Sequence, residues 1–144
     1  MIDFDAAHLA TCHLNEPGAG RVRAAAYAAD GLASCELARL ECASILTRHV
    51  REHHVTRREM TAILKEFEED EKNGVWHWFG VTSGLLEKAR KAVLDIPSPV
   101  FLRSGDALHL ACAEEHGFAE VYTNDRHMLQ AARYFHVTGV NVLG

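Results

Sequence analysis

What these 144 residues lack narrows the choice before any motif is read. No apolar stretch approaches the roughly 20 residues a bilayer-spanning helix needs, so no membrane crossing is expected. The start, MIDFDAAHL, has acids where a secretory leader would have a basic stretch. The four cysteines (Cys12, Cys35, Cys42, Cys112) include no Cys-x-x-Cys spacing, and three of them sit among Leu, Ala and Ile. They read as reduced thiols used as small core residues, which fits the cytoplasm better than a disulfide frame. Linkers, low-complexity tracts and internal repeats are also missing, so a single domain over 1–144 is expected. Basic charge is scarce. Fifteen Lys and Arg stand against 20 Asp and Glu, a net charge of −5 that argues against a general electrostatic grip on duplex nucleic acid. A local rim is another matter, and TRHVREHHVTRRE at 47–59 places four arginines close together. Alone, that run reads as a solvated helix end and loop.

Histidine is plentiful, with ten residues. His109-x-x-Cys112-x-x-x-His116 and His49-x-x-x-His53 each put ligand types on one helical face. Neither has a matching partner pair, and structural zinc normally takes four ligands.

The hydrophobic patterns alternate along the chain. MIDF is a short strand, AAHLATCHL a helix, and EPGAGRVRAAAYAAD a second helix introduced by Pro17 and Gly18 and stopped by Gly31. GLAS reads as a buried strand. CELARLECASILTRHVRE follows as a strong helix, with Leu37, Leu40, Ile45 and Leu46 assigned to one stripe. Thr56 and Glu59 make a capping box for a helix running to about Glu71. After Asn73-Gly74, VWHWFGVT is strand-like. Ser83 then caps a helix that must end before Pro97 and Pro99. Ser104 opens a further helix that Gly117 closes. AEVYT, DRHMLQAARYF and VTGVNVL complete the series as strand, helix and strand. The order β-α-α-β-α-α-β-α-α-β-α-β predicts a three-layer α/β/α domain around a mainly parallel sheet of four or five strands.

In such a sheet the functional crevice lies beyond the carboxyl ends of the strands. Asp5 ends the first strand, Asp125 follows the fourth, and Asp106 lies in the first turn of a helix. Each alone is accounted for as a helix cap or first-turn acid, a preference worth ~1 kcal/mol. Glu41 is different. Placed four residues after Leu37 and four before Ile45, it shares the apolar stripe, where an unpartnered carboxylate is costly. Either an arginine neutralises it, Arg39 and Arg48 being near in sequence, or it faces the other acids across the sheet edge. In the second case Glu41→Gln relieves repulsion and leaves the fold as stable or slightly more so. Converging carboxylates raise one another's pKa unless a cation neutralises them. An all-oxygen set favours Mg²⁺ or Mn²⁺ over zinc, and such a site suits phosphodiester hydrolysis.

Four stretches, MIDFDAAHLATCHLNEPG, LASCELARLECASILTRH, SGDALHLACAEEHG and VYTNDRHMLQAARYFHVTGVNVL, together resemble the PIN-domain ribonucleases, in particular the VapC-type toxins of bacterial toxin–antitoxin pairs. Their order and spacing cover nearly the whole chain, and DALHLA followed by Thr-x-Asp is the more specific part. The resemblance implies a PIN-like fold and a Mg²⁺- or Mn²⁺-dependent endoribonuclease. Asp5, Glu41, Asp106 and Asp125 then match the family's metal-binding and catalytic acids, with Thr123 in support. It further implies an RNA substrate, tRNA first, a cognate VapB-like antitoxin and a homodimer built on helices. Two departures stand out. Ala6 and Ala7 occupy positions where the family usually has hydroxyl residues, and Asp3 stands where it usually has an apolar or aromatic strand residue.

Two other readings follow from the same residues. Without the hydroxyls, the chain is a PIN-like RNA- or partner-binding module that has lost turnover. Alternatively, DFD at 3–5 echoes the Asp-x-Asp of haloacid-dehalogenase phosphatases, although only Met1 and Ile2 precede it, a short strand for that fold's centre.

Overall fold

Five short parallel strands carry the chain, and their order explains where a site can form. The computed structural model describes residues 1–144. β1 (Ile2–Phe4) is followed by α1 (Ala6–Thr11) and α2 (Ala19–Ala28), and β2 (Leu32–Cys35) by α3 (Leu37–Arg51) and α4 (Arg57–Lys72). Next come β3 (Trp76–Phe79), α5 (Ser83–Asp95) and α6 (Ser104–Glu115). The chain ends with β4 (Glu120–Tyr122), α7 (Arg126–Ala131), a 3₁₀ turn at Ala132–Phe135, and β5 (Thr138–Val140). The sheet order is β3-β2-β1-β4-β5, with every neighbouring pair parallel. Winding runs outward from β1 in one direction and continues through β4 in the other. The crevice between their carboxyl ends is therefore the topological switch point.

Helices cover both faces. On one, Phe4 packs with Leu9, Val22, Leu46 and Trp76 beneath α1 to α4. On the other, Leu85, Leu110, Val121, Met128 and Phe135 form the core beneath α5 to α7. α6 is buried at seven consecutive positions, Ala107–Ala113. A helix apolar all round belongs inside a domain, and its three alanines let it lie close to the sheet. Gly139 of β5 is dictated by packing: a Cβ there would lie 2.8 Å from Leu129 Cδ2 and 3.1 Å from its Cα. No helix is long and apolar enough to cross a membrane.

The capping box of α4 is present, with Thr56 Oγ1 accepting from the Glu59 amide. Two expectations are corrected. The cap of α5 is Thr82, whose hydroxyl accepts from the Leu85 amide, and Ser83 is already helical. On α3 the fully buried line is Ala38, Cys42 and Leu46, while Leu40 is 67 % exposed. Side-chain bulk pointed to the leucines, but α1 packs closely against α3 and small residues fill that contact.

Candidate functional site

At the switch point the carboxyl ends of β1 and β4 open on a cavity of about 780 Å³. Its walls include Asp5, Glu41, Asp106 and Asp125. The four acids come from four elements: the β1–α1 junction, α3, the first turn of α6, and the β4–α7 junction.

Asp5 serves two ends. Its Oδ1 caps α1 by accepting from the His8 amide at 2.8 Å, and its Oδ2 accepts from the Thr123 hydroxyl. Thr123 Oγ1 in turn accepts from the Asp125 amide at 3.0 Å, so one buried threonine ties the acid after β1 to the acid after β4. Burial by itself would raise the Asp5 pKa. The neighbouring His8 imidazole, the Thr123 hydroxyl and the His8 amide outweigh it and hold the carboxyl below its usual value.

Asp125 caps α7, with Oδ1 accepting from the amides of His127 and Met128 at 2.8 and 3.0 Å. Its Oδ2 faces Arg103. The guanidinium of Arg103 donates from Nη2 to Asp125 Oδ2 at 2.6 Å and from Nε to Asp106 Oδ2 at 2.7 Å. Partial burial raises the Asp106 pKa, and the arginine offsets this only in part.

Glu41 has a partner that neither sequence alternative named. His109 Nε2 lies 2.6 Å from Glu41 Oε2. Arg39 instead reaches Glu36 and Glu71. Glu41 sits on the cavity wall rather than the buried stripe, with its side chain 32 % exposed. Gly105 allows this approach of α6 to α3, since a Cβ there would lie 3.0 Å from Glu41 Oε1. Burial pushes the His109 pKa down, but the hydrogen bond and charge of Glu41 push it up further, to about 9. The imidazole is therefore a cation at neutral pH.

That ion pair reverses the expectation for Glu41→Gln. A histidine whose folded pKa is raised contributes stability that is full below its unfolded value of about 6.5 and is lost as pH rises through about 9. The glutamine variant should lose about 2 kcal/mol at pH 7. Urea midpoints measured from pH 6 to 10 should converge with wild type above pH 9. An unchanged midpoint at pH 7 would show that the pair adds nothing.

No three His, Cys, Asp or Glu side chains come close enough together to hold a metal ion. Each acid is drawn instead to an internal partner: Asp5 to Thr123 and His8, Glu41 to His109, and Asp106 and Asp125 to Arg103. The donor set nonetheless fits Mg²⁺ or Mn²⁺. Mg²⁺ is commonly held by one or two carboxylates and keeps several waters, and Asp106 and Asp125 already share a single cationic group. The zinc spacings lead elsewhere: His109 turns to Glu41, His116 stacks on Phe79, and His49 lies against His54. All four cysteines are free thiols. Asp3 is buried with neither oxygen hydrogen-bonded and does not line the cavity, so Asp3 and Asp5 do not form the paired site of the phosphatase reading.

Ala6 and Ala7 do line the cavity, with Asn124 and Arg126. Arg103 and His109 went unrecognised as cleft residues, although each stands three positions from Asp106. That spacing places His109 on the same face of α6 as Asp106 and puts Arg103 at its N-cap.

The profile of the PIN domain matches residues 5–134. No curated protein matches the chain. Among solved structures, the Mycobacterium tuberculosis VapC20, described as a sarcin–ricin loop cleaving toxin, superposes with a TM-score of 0.70 at 16 % identity, covering 91 % of this chain and 95 % of that one. FitAB bound to an IR36 DNA fragment gives 0.67 at 14 % identity, covering 100 % and 96 %. A toxin–antitoxin complex from Klebsiella pneumoniae gives 0.56 at 16 %, covering 87 % of each chain. At such identities the likeness is one of fold.

Proposed function

The chain belongs to the PIN-domain family, and on that premise we propose that it is a divalent-metal-dependent endoribonuclease and the toxin of a toxin–antitoxin pair. One observation carries this reading: Asp5, Glu41, Asp106 and Asp125, from four separate elements, line one cavity at the switch point of the sheet. Asp106 and Asp125 would hold Mg²⁺ or Mn²⁺, with Asp5 and Glu41 completing the acidic wall. Bound there, the ion would supply water activation and charge neutralisation at a phosphodiester. Thr123 fixes Asp5 against Asp125, and His109 fixes the direction of Glu41. The substrate proposed is a structured RNA, with tRNA first.

A cognate VapB-like antitoxin, action in the cytoplasm and a homodimer belong to the same proposal. Exposed Leu86, Val93 and Leu94 along α5 suit a dimer built on helices. The alternative, a PIN-like binding module without turnover, is favoured by Ala6 and Ala7, which bring no hydroxyl to the cavity.

Cleavage decides between them. The purified protein, freed of any antitoxin, should cut total tRNA with Mg²⁺ or Mn²⁺, stop with EDTA, and ignore a zinc-selective chelator. Mn²⁺ should serve better, because a cavity short of one polar helper suits an ion that coordinates less strictly. Retention of tRNA without cleavage in either metal would establish the binding module.

A further inference from the structure

Two arginines line the cavity, and the fold treats them differently. Arg126 is exposed and its side chain makes no hydrogen bond or ion pair. Arg103 is seated between two acids carried by different elements. Its Nε and Nη2 reach Asp106 Oδ2 and Asp125 Oδ2 at 2.7 and 2.6 Å. The oxygen it takes from Asp125 matters most. Oδ1 of Asp125 is committed to the amides of His127 and Met128, which cap α7, so Oδ2 is the oxygen left for a ligand. A cation that binds through Asp125 competes with the Arg103 guanidinium for that oxygen and is repelled by its like charge.

We propose that Arg103 is a resident counterion of the cleft, holding Asp106 and Asp125 until a divalent cation displaces it, and that the freed guanidinium then takes a phosphate of the RNA. This rests on the metal-dependent nuclease reading above. The first half follows from competition for one oxygen. The second follows from chemistry and position: a planar guanidinium pairs with phosphate through two parallel N–H bonds as readily as with carboxylate. The side chain is 57 % exposed at the mouth of the cavity, and unpaired Arg126 stands at the same wall. Entry of the metal thus converts an internal ion pair into a substrate contact, without any movement of the backbone being required.

The test uses the full-length protein and Mn²⁺ alone, with the free ion counted by electron paramagnetic resonance. Arg103→Met should bind Mn²⁺ about tenfold more tightly than wild type, because two charge-assisted hydrogen bonds at a half-exposed site no longer compete. Arg103→Lys, which keeps the charge but loses the fork, should fall between them. Arg126→Met is the control for general charge, since it removes a cation from the same wall but breaks no ion pair. An equal gain in Arg126→Met, or no gain in Arg103→Met, overturns the counterion role.

The second half is read from initial rates on total tRNA at saturating Mn²⁺. Arg103→Met should raise KM about tenfold with kcat nearly unchanged, and should lower the salt slope of kcat/KM by about one. Unchanged KM and slope overturn the phosphate contact. Failure of the underlying reading looks different: wild type and both methionine variants would all fail to bind Mn²⁺, and the counterion role would fall with it. Circular dichroism melts of the variants confirm that the exposed substitution leaves the fold intact.

Discussion

Asp106→Asn and Asp5→Asn should each lower tRNA cleavage by roughly a thousandfold, the scale on which a preorganised electrostatic contribution is lost. The effect should be separable from folding. Asparagine is as good an N-cap as aspartate, so in Asp5→Asn the new side-chain oxygen can still accept from the His8 amide and start α1. The new amide can donate to Thr123 Oγ1, keeping the link to Asp125. Asp106 is partly buried with its pKa raised, so loss of its charge costs the fold little, and its pair with half-exposed Arg103 is worth under ~1 kcal/mol. Asp106→Asn should therefore melt close to wild type. Asp5→Asn should melt somewhat below it at neutral pH, because the fold favours the charge of that carboxylate. Both should be folded at the assay temperature while single-turnover cleavage collapses. Activity within about tenfold of wild type for either would remove that acid from the site. A melting point that falls to the assay temperature together with the activity would show that structure was lost instead.

Much of this site was legible because the acids announce helix starts. Asp5 and Asp125 could be read as caps or as cleft residues, and they are both: the geometry that lets Asp end a strand and open a helix also places its second oxygen, the one not used by the cap, at the carboxyl end of the sheet. The strand and helix order was equally legible, because each element carries its own periodicity and stop signals. The partners were not. Glu41 meets His109 across 68 positions, and Arg103 reaches Asp125 across 22, contacts that exist only once the folded chain brings the start of α6 to α3 and to the β4–α7 junction. Local spacing offered Arg39 for Glu41, and the fold uses Arg39 elsewhere. The stripe on α3 was misread for a related reason. Hydrophobic bulk marks a buried face only where there is room for it, and the α1 contact has room for Ala38 and Cys42.

Asp3 is where local and global demands conflict, and its replacement should give the largest gain in stability. It occupies the middle of the central strand, pairs in register with Ala33 and Val121, and is 1 % exposed. Neither carboxyl oxygen has a hydrogen-bond partner. Burial raises its pKa from 3.8 to about 8; the nearby His109 cation pulls it down, and Cys35 and Asp5 push it up. An acid with a raised folded pKa takes up a proton on folding. The penalty is absent below pH 3.8, grows as pH rises towards 8, and stays constant beyond. At pH 7 it amounts to about 4 kcal/mol, a large fraction of the stability of a domain this size. Asp3→Val places a β-branched apolar side chain in a buried parallel strand, which is what that position favours. Its urea midpoint should exceed wild type by an amount that is small at pH 4.5 and rises steeply to pH 8, with a melting point about 10 °C higher at neutral pH. Asp3→Asn, neutral but still unpartnered, should flatten the pH dependence while recovering less stability. Because Asp3 does not line the cavity, both variants should keep the Mn²⁺ affinity of wild type. A valine variant no more stable than wild type at pH 8 would mean that the carboxyl has found a partner in solution, for which the unpaired Nδ1 of His109 is the nearest candidate by charge.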